Sequence, residues 1–480
     1  MMKELRRISL GILSAFMLIA LSATYWGVIG AEGLRQREDN PRLIEAEVAI
    51  RRGNIYDRQG ILLATTTVNY NGEGLRRLYP HPEVAPAVGY YSLRFGTSGV
   101  EATYDDVLRG EAGQTPFAAW WRDLLHLPAV GGDVRLTLDL AAQRAAMEAL
   151  DGQAGAVVVA TVPDGAIRAM ASAPIFNPNF VDENWAVLIQ APGAPLLNRV
   201  TQGVYQPGGV LQTALLATAI SWHVNTTTPL ADAATPVQVN DLRLSCGRTP
   251  PVEDLTFQQA YVYACPRPFT QLIIQLSPEV IDEALWRFGL LTPPHLLGLN
   301  IETRDSPLPL AILENQQAQT AALAGQGTLT ITPLQALDMV AAIANAGNAP
   351  RYTLIDAIRL PGTTTWEPVR PPGVSRAVLT RQTASQMQQV MQIATSEGVA
   401  AAAQAESTLP VMGHAATAFS GPGATPLQWF IGMVGFDDGT AIIAAVVLED
   451  APSPEQAARV GGRVLEATAQ ALALGQNPAP

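Results

Sequence analysis

From Ile8 to Gly30 the chain carries no charge (ISLGILSAFMLIALSATYWGVIG), and so long an apolar run must either cross a lipid bilayer or be cut away. As a helix it covers a hydrocarbon core of about 30 Å. Lys3, Arg6 and Arg7 precede it. Positive charge on that side predicts a cytoplasmic tail over 1–7, a transmembrane anchor over 8–30 and an extracytoplasmic remainder, with Tyr25 and Trp26 at the far interface. A cleaved signal peptide is the competing reading, but its apolar core spans only about 7–15 residues. We therefore expect a single-pass cell-membrane protein.

With 48% hydrophobic residues in 480, the chain can fill a sizeable core. Acidic residues outnumber basic ones 42 to 30, for a net charge of -12, which argues against a nucleic-acid partner. The five histidines, His81, His126, His223, His295 and His414, show no metal-ligand spacing. Neither GxGxxG nor the Walker pattern occurs. No metal and no cofactor are expected. Lys3 is the only lysine in the chain, so any chemistry that needs a lysine amine must find it before the anchor.

Residues 31–130 read as an irregular, β-rich module of short segments broken by DRQG and VNYNGEG. The texture changes from Gly132: VRLTLDL alternates as a half-buried strand does, and AAQRAAMEAL reads as a helix. Pro163, Asp164 and Gly165 turn one hairpin, and Asp437, Asp438 and Gly439 turn another near the far end. Between them the chain is mostly helical, as from Pro333 to Ala346 with Thr332 as cap and Gly347 just beyond. In the helix after position 209, Leu211, Leu215, Ala219 and Trp222 form an apolar stripe read as core. A last helix has Ser453 as cap, Pro454 at its first position and Gln456 placed for a capping box. The expected architecture is α+β, with residues 131–475 forming one antiparallel sheet, completed by both extremities and flanked by helices, and 476–480 a tail. Cys246 and Cys265 can bridge, closing a loop of about 20 residues worth roughly 3 kcal/mol, or remain two buried thiols.

Segments in fixed order carry a resemblance. RRGNIYDRQGILLA and GTSGVEATYDDVLRGE lie in the first module, and AVVVATVPDGAIRAMASAPIFNPN, NRVTQGVYQPGG and GQGTLTITPLQALDMVAAIANAG in the second. Together they resemble the class B penicillin-binding proteins, transpeptidases that cross-link peptidoglycan. The resemblance implies a penicillin-binding transpeptidase domain on a pedestal that engages a polytopic glycan polymerase, with Arg52, Asp57 and Arg58 as candidate partner contacts.

It also implies three catalytic motifs, and each is altered here. In Ser-x-x-Lys a lysine one helical turn on takes the proton as the serine attacks a stem-peptide carbonyl. The expected YxPGSxxK reads YQPGGVLQ, with Gly209 at the serine and Gln212 at the lysine. Glycine offers no nucleophile and an amide is no base at neutral pH. Ser-x-Asn becomes Ala264 and Pro266, and Lys-Thr-Gly becomes His414, Ala415 and Ala416. No shift of alignment restores the dyad, because no lysine follows Lys3. The expectation is a catalytically inactive homologue, a scaffold or regulator in cell-wall synthesis during division or elongation, whose groove still admits a stem peptide. An enzyme with altered chemistry is the alternative, using Ser420 served by His414, Cys265 or an activated water.

Overall fold

The computed structural model describes residues 2–25, 50–68, 74–115, 117, 121, 125, 129–301, 309–310, 313, 315–370, 375–420 and 425–474. Helix α1 (Met2–Thr24) includes a window, Arg6–Thr24, long and apolar enough to cross a membrane and wholly exposed. Trp26–Gly30 and the tail 476–480 lie outside the described residues.

The pedestal begins with β1 (Ile55–Tyr56), β2 (Leu62–Val68) and β3 (Leu75–Leu78). DRQG makes the β1–β2 turn because Asp57 folds back on it: Oδ1 accepts the amides of Gln59 and Ile61, both at 2.8 Å. Two later segments join the same sheet. Strand β4 (Asp133–Leu136) lies parallel to β1, and β7 (Ile355–Arg359) runs antiparallel to β4. With β8 (Glu367–Pro368) the six strands stand in the order β8-β7-β4-β1-β2-β3. One sheet thus crosses the 130/131 boundary.

The partner-contact reading of Arg52 and Asp57 needs correcting, since both are buried, at 3% and 0% exposure. Arg52 bonds Glu101 at 2.9 Å and Asp105 at 2.6 Å, while Arg77 grips Glu101 from the other side at 2.6 Å. Burial works against the Arg52 charge, but Glu101 and Asp105 outweigh it and hold the group protonated. Asp57 also accepts the Leu140 amide at 3.3 Å. These charges hold the pedestal together from inside. Arg58 is half-buried, paired with Asp139 at 2.9 Å.

In the main domain Asp139 caps α2 (Leu140–Leu150), accepting the amides of Ala141 and Ala142. Strands β5 (Gly155–Val162) and β6 (Ile167–Ala173) form the first hairpin. Thr332 and Gln335 form a capping box on α4 (Pro333–Ala344), numbered after α3 (Gln212–Ser221). Strands β9 (Met412–Phe419), β10 (Pro426–Gly435) and β11 (Ala441–Glu449) precede α5 (Pro454–Leu474). The sheet runs β9-β10-β11-β5-β6, antiparallel throughout.

Both faces are covered, which explains the unbroken apolar run of AVVVATV. Val157 and Val159 point into a core with Ala142 of α2 and Val464 of α5, whereas Ala156 and Val158 point into a core with Leu337 and Val340 of α4. Two details differ from the sequence reading. Trp222 is 55% exposed, because α3 ends at Ser221 and carries the stripe no further. The Gln456 side chain donates to Gln153 at 2.6 Å and does not reach back to close a capping box.

Candidate functional site

Strand β9 is an edge strand, and the side chains of Ala416 and Ala418 face the turn Gly208–Leu211 that opens α3. The approach is close. Gly208 sits at φ 50, where a Cβ would lie 2.3 Å from the Thr417 carbonyl oxygen, so only glycine fits. A Cβ at Gly209 would stand 2.8 Å from the Ala416 methyl and 3.5 Å from Gln212 Nε2. A side chain at position 209 would therefore point at the Gln212 amide, one helical turn on, and at the position that carries the family's third-motif glycine. The methyl of Ala416 narrows that space further.

The second-motif positions arrive from the segment after the helix at Phe257–Val262. Ala264 adopts φ 52, and Cys265 is fully buried and joined to Cys246 in a disulfide. Of the two readings of these cysteines, the bridge is the one formed. It pins the short hairpin of Val237–Val239 and Leu242–Leu244 beside the turn.

The result is a cavity of about 280 Å³ whose walls include Gly209, Gln212, Ala264, Pro266 and Ala416. Five of the seven altered motif positions meet there. His414 lies behind the wall and Ala415 faces the opposite core. Arg52, Asp57 and Arg58 contribute nothing to the walls.

His414 is fully buried, its ring stacked on Tyr261 at 4.0 Å between centroids, and neither ring nitrogen closes a well-formed hydrogen bond, the Gly209 backbone being the polar group it faces. Burial lowers its pKa to about 3, opposed only by the neighbouring backbone of Gly209. The ring is neutral at every ordinary pH and does not replace the family's cation. Nor can it serve Ser420: six residues along a strand is roughly 20 Å. Cys265 is committed to its bridge.

Sequence reasoning missed two wall residues. Gln326, at 7% exposure, accepts the Phe419 amide at 3.2 Å through Oε1, and its Nε2 has no partner. Gln212, at 2%, likewise leaves Oε1 unpaired. Arg243, exposed at the rim, is the one charged residue among the described walls. Gln326 had a signal, its place between two glycines in GQGTLTITP; Arg243 had none, since the hairpin and its bridge bring it there. Unpaired amide groups facing a cavity can meet the amide of a ligand. They cannot form or break an acyl bond.

Residues 155–472 match the penicillin binding protein transpeptidase domain, and residues 52–134 match the penicillin binding protein A dimerisation domain. The peptidoglycan D,D-transpeptidase PbpA of Mycolicibacterium smegmatis is 30% identical over 98% of this chain and 96% of its own. The peptidoglycan D,D-transpeptidase MrdA of Haemophilus influenzae is 28% identical over 60% of this chain and 47% of its own. Penicillin-binding protein A from M. tuberculosis, solved as its penicillin G acyl-enzyme complex, aligns with a TM-score of 0.76 at 25% identity, covering 88% of this chain and 100% of that one. With its transpeptidase and pedestal segments in the family's order and fold, this chain belongs to the class B penicillin-binding proteins.

Proposed function

We propose that this protein works in peptidoglycan synthesis without forming an acyl-enzyme, as a membrane-anchored scaffold or regulator whose bulk is extracytoplasmic. The observation that carries the reading is Gly209: position 209 points at Gln212 and Ala416, and glycine brings no side chain to it. The only lysine, Lys3, belongs to the anchor helix. The relatives reported above are named as D,D-transpeptidases.

The pedestal, over 31–130, and the transpeptidase-like domain, over 131–475, then act as surfaces. The partner is a polytopic glycan polymerase, met through exposed pedestal groups rather than Arg52 or Asp57. Non-covalent stem-peptide binding in the cleft is secondary, using the unpaired groups of Gln212 and Gln326.

The test is to incubate the purified ectodomain, from about Ala31 onward, with a fluorescent penicillin beside an active class B protein, and to read intact mass. No adduct is expected. A stoichiometric adduct would sink the proposal, and the modified residue would name the replacement nucleophile.

A further inference from the structure

A second cavity, of about 330 Å³, opens where α4 meets the loop after the helix Pro278–Arg287, and it shares no wall residue with the cleft at Gly209. Its walls include Gly289, Asp338, Arg351, Tyr352 and Arg376, with His295 exposed at the rim. Two arginines and a histidine against one aspartate make a locally basic pocket in a chain of net charge -12.

The groups are held in place. Arg376 donates through Nη2 to Asp338 at 3.0 Å and through Nε to the Arg287 carbonyl at 2.7 Å, which fixes the guanidinium plane and leaves Nη1 uncommitted. Gly289 makes this possible: a Cβ there would lie 2.6 Å from Asp338 Oδ2 and 2.8 Å from Arg376 Nη2. Tyr352 is 4% exposed, and its hydroxyl faces the Asp338 carboxylate without closing a well-formed hydrogen bond to it. Arg351 is exposed and forms no ion pair among the described residues. A buried hydroxyl and two guanidinium groups thus have one carboxylate, Asp338, to share, which leaves donors to spare for a further acceptor.

We propose that this cavity binds a small oxyanion, a carboxylate or phosphoryl group, held between Arg351, Arg376 and the Tyr352 hydroxyl. Asp338 is its competitor for Arg376. Burial raises the Asp338 pKa to about 6 against the pull of Arg376 and Tyr352. Below that pH the carboxyl is neutral and Arg376 is released to the ligand, so anion affinity rises on acidification. Tyr352 stays protonated because burial and Asp338 push its pKa up. The inference is independent of whether the cleft at Gly209 acylates.

The experiment is titration of the full chain in detergent with sodium sulfate, whose charge is constant over this range, at pH 7.5 and 5.5, followed by thermal shift. Saturable stabilisation, stronger at pH 5.5, is expected. Arg351→Ala and Tyr352→Phe should each weaken it by about tenfold, and Asp338→Asn should bind sulfate tightly at both pH values. Arg351 is exposed and Tyr352→Phe keeps the ring, so both variants retain the fold, which circular dichroism checks. Parallel titrations with inorganic phosphate and acetate separate the sources: preference for phosphate assigns a phosphoryl ligand, preference for acetate a carboxylate. Unsaturable sulfate binding, or equal binding by wild type and both variants, would overturn the site and leave an adventitious ion only.

Discussion

Position 209 decides more than any other. A Cβ there meets the Ala416 methyl at 2.8 Å, so Gly209→Ser should cost about 1–3 kcal/mol by overpacking. Adding Ala416→Gly should recover most of that loss. Urea titration of the two single variants and the pair reads the coupling, and strictly additive effects would count against this geometry. His414 supplies a second prediction. Its folded pKa of about 3 lies below the ordinary value of 6.5, so the unfolded chain takes up a proton first as pH falls. The stabilising contribution is complete above pH 6.5 and lost between 6.5 and 3. Replacing His414 by Leu should therefore raise Tm relative to wild type more at pH 5 than at pH 8; equal shifts would mean that the ring is not held neutral. The motif substitutions were legible in the sequence because they concern chemical identity. Burial of His414 was not, because it depends on the Tyr261 ring that arrives from a helix distant in the chain.

At the scale of elements, the hairpin Val237–Val239 and Leu242–Leu244 is too short to stand alone. The bridge from Cys246 to Cys265 fastens it at the cleft. Reduction, or Cys246→Ser with Cys265→Ser, should cost about 3 kcal/mol and speed amide exchange first at Leu242 and Leu244. Uniform exchange across the domain would argue against a local clamp. In the pedestal, Arg52→Glu puts three carboxylates around one buried point and should cost about 3–5 kcal/mol. A lost pull-down with that variant would thus report unfolding, which its melting curve distinguishes from a damaged interface. The Asp-Gly hairpins and the Thr332 cap could be read directly, since turn and cap chemistry is local. Trp222 and Gln456 could not: one depends on where a helix ends against its neighbours, the other on a glutamine about three hundred residues away in the chain.

For the whole molecule, the sheet that joins pedestal and main domain matters most. Strand β1 has β4 as its parallel neighbour, and β4 is held in turn by β7, more than two hundred residues further on. A fragment ending at Val130 lacks both. It should fail to show cooperative unfolding by circular dichroism, whereas the chain from Ile50 to Leu474 should unfold cooperatively. A cooperatively folded short fragment would refute the coupling. The pedestal and the transpeptidase-like domain can be named apart in sequence, but they share a sheet.

The sequence by itself determined the candidate anchor, the two hairpins, the family and the missing dyad, because each rests on residue identity or on spacing within a few turns of chain. The tertiary structure alone decided that Arg52 and Asp57 are internal, that His414 is neutral, that the cysteines meet, and that Arg243, Gln326 and the Asp338 pocket exist. Those properties depend on burial and on approaches between distant segments. The free energy of a charge or an unpaired amide depends on what surrounds it, and only the folded chain specifies that.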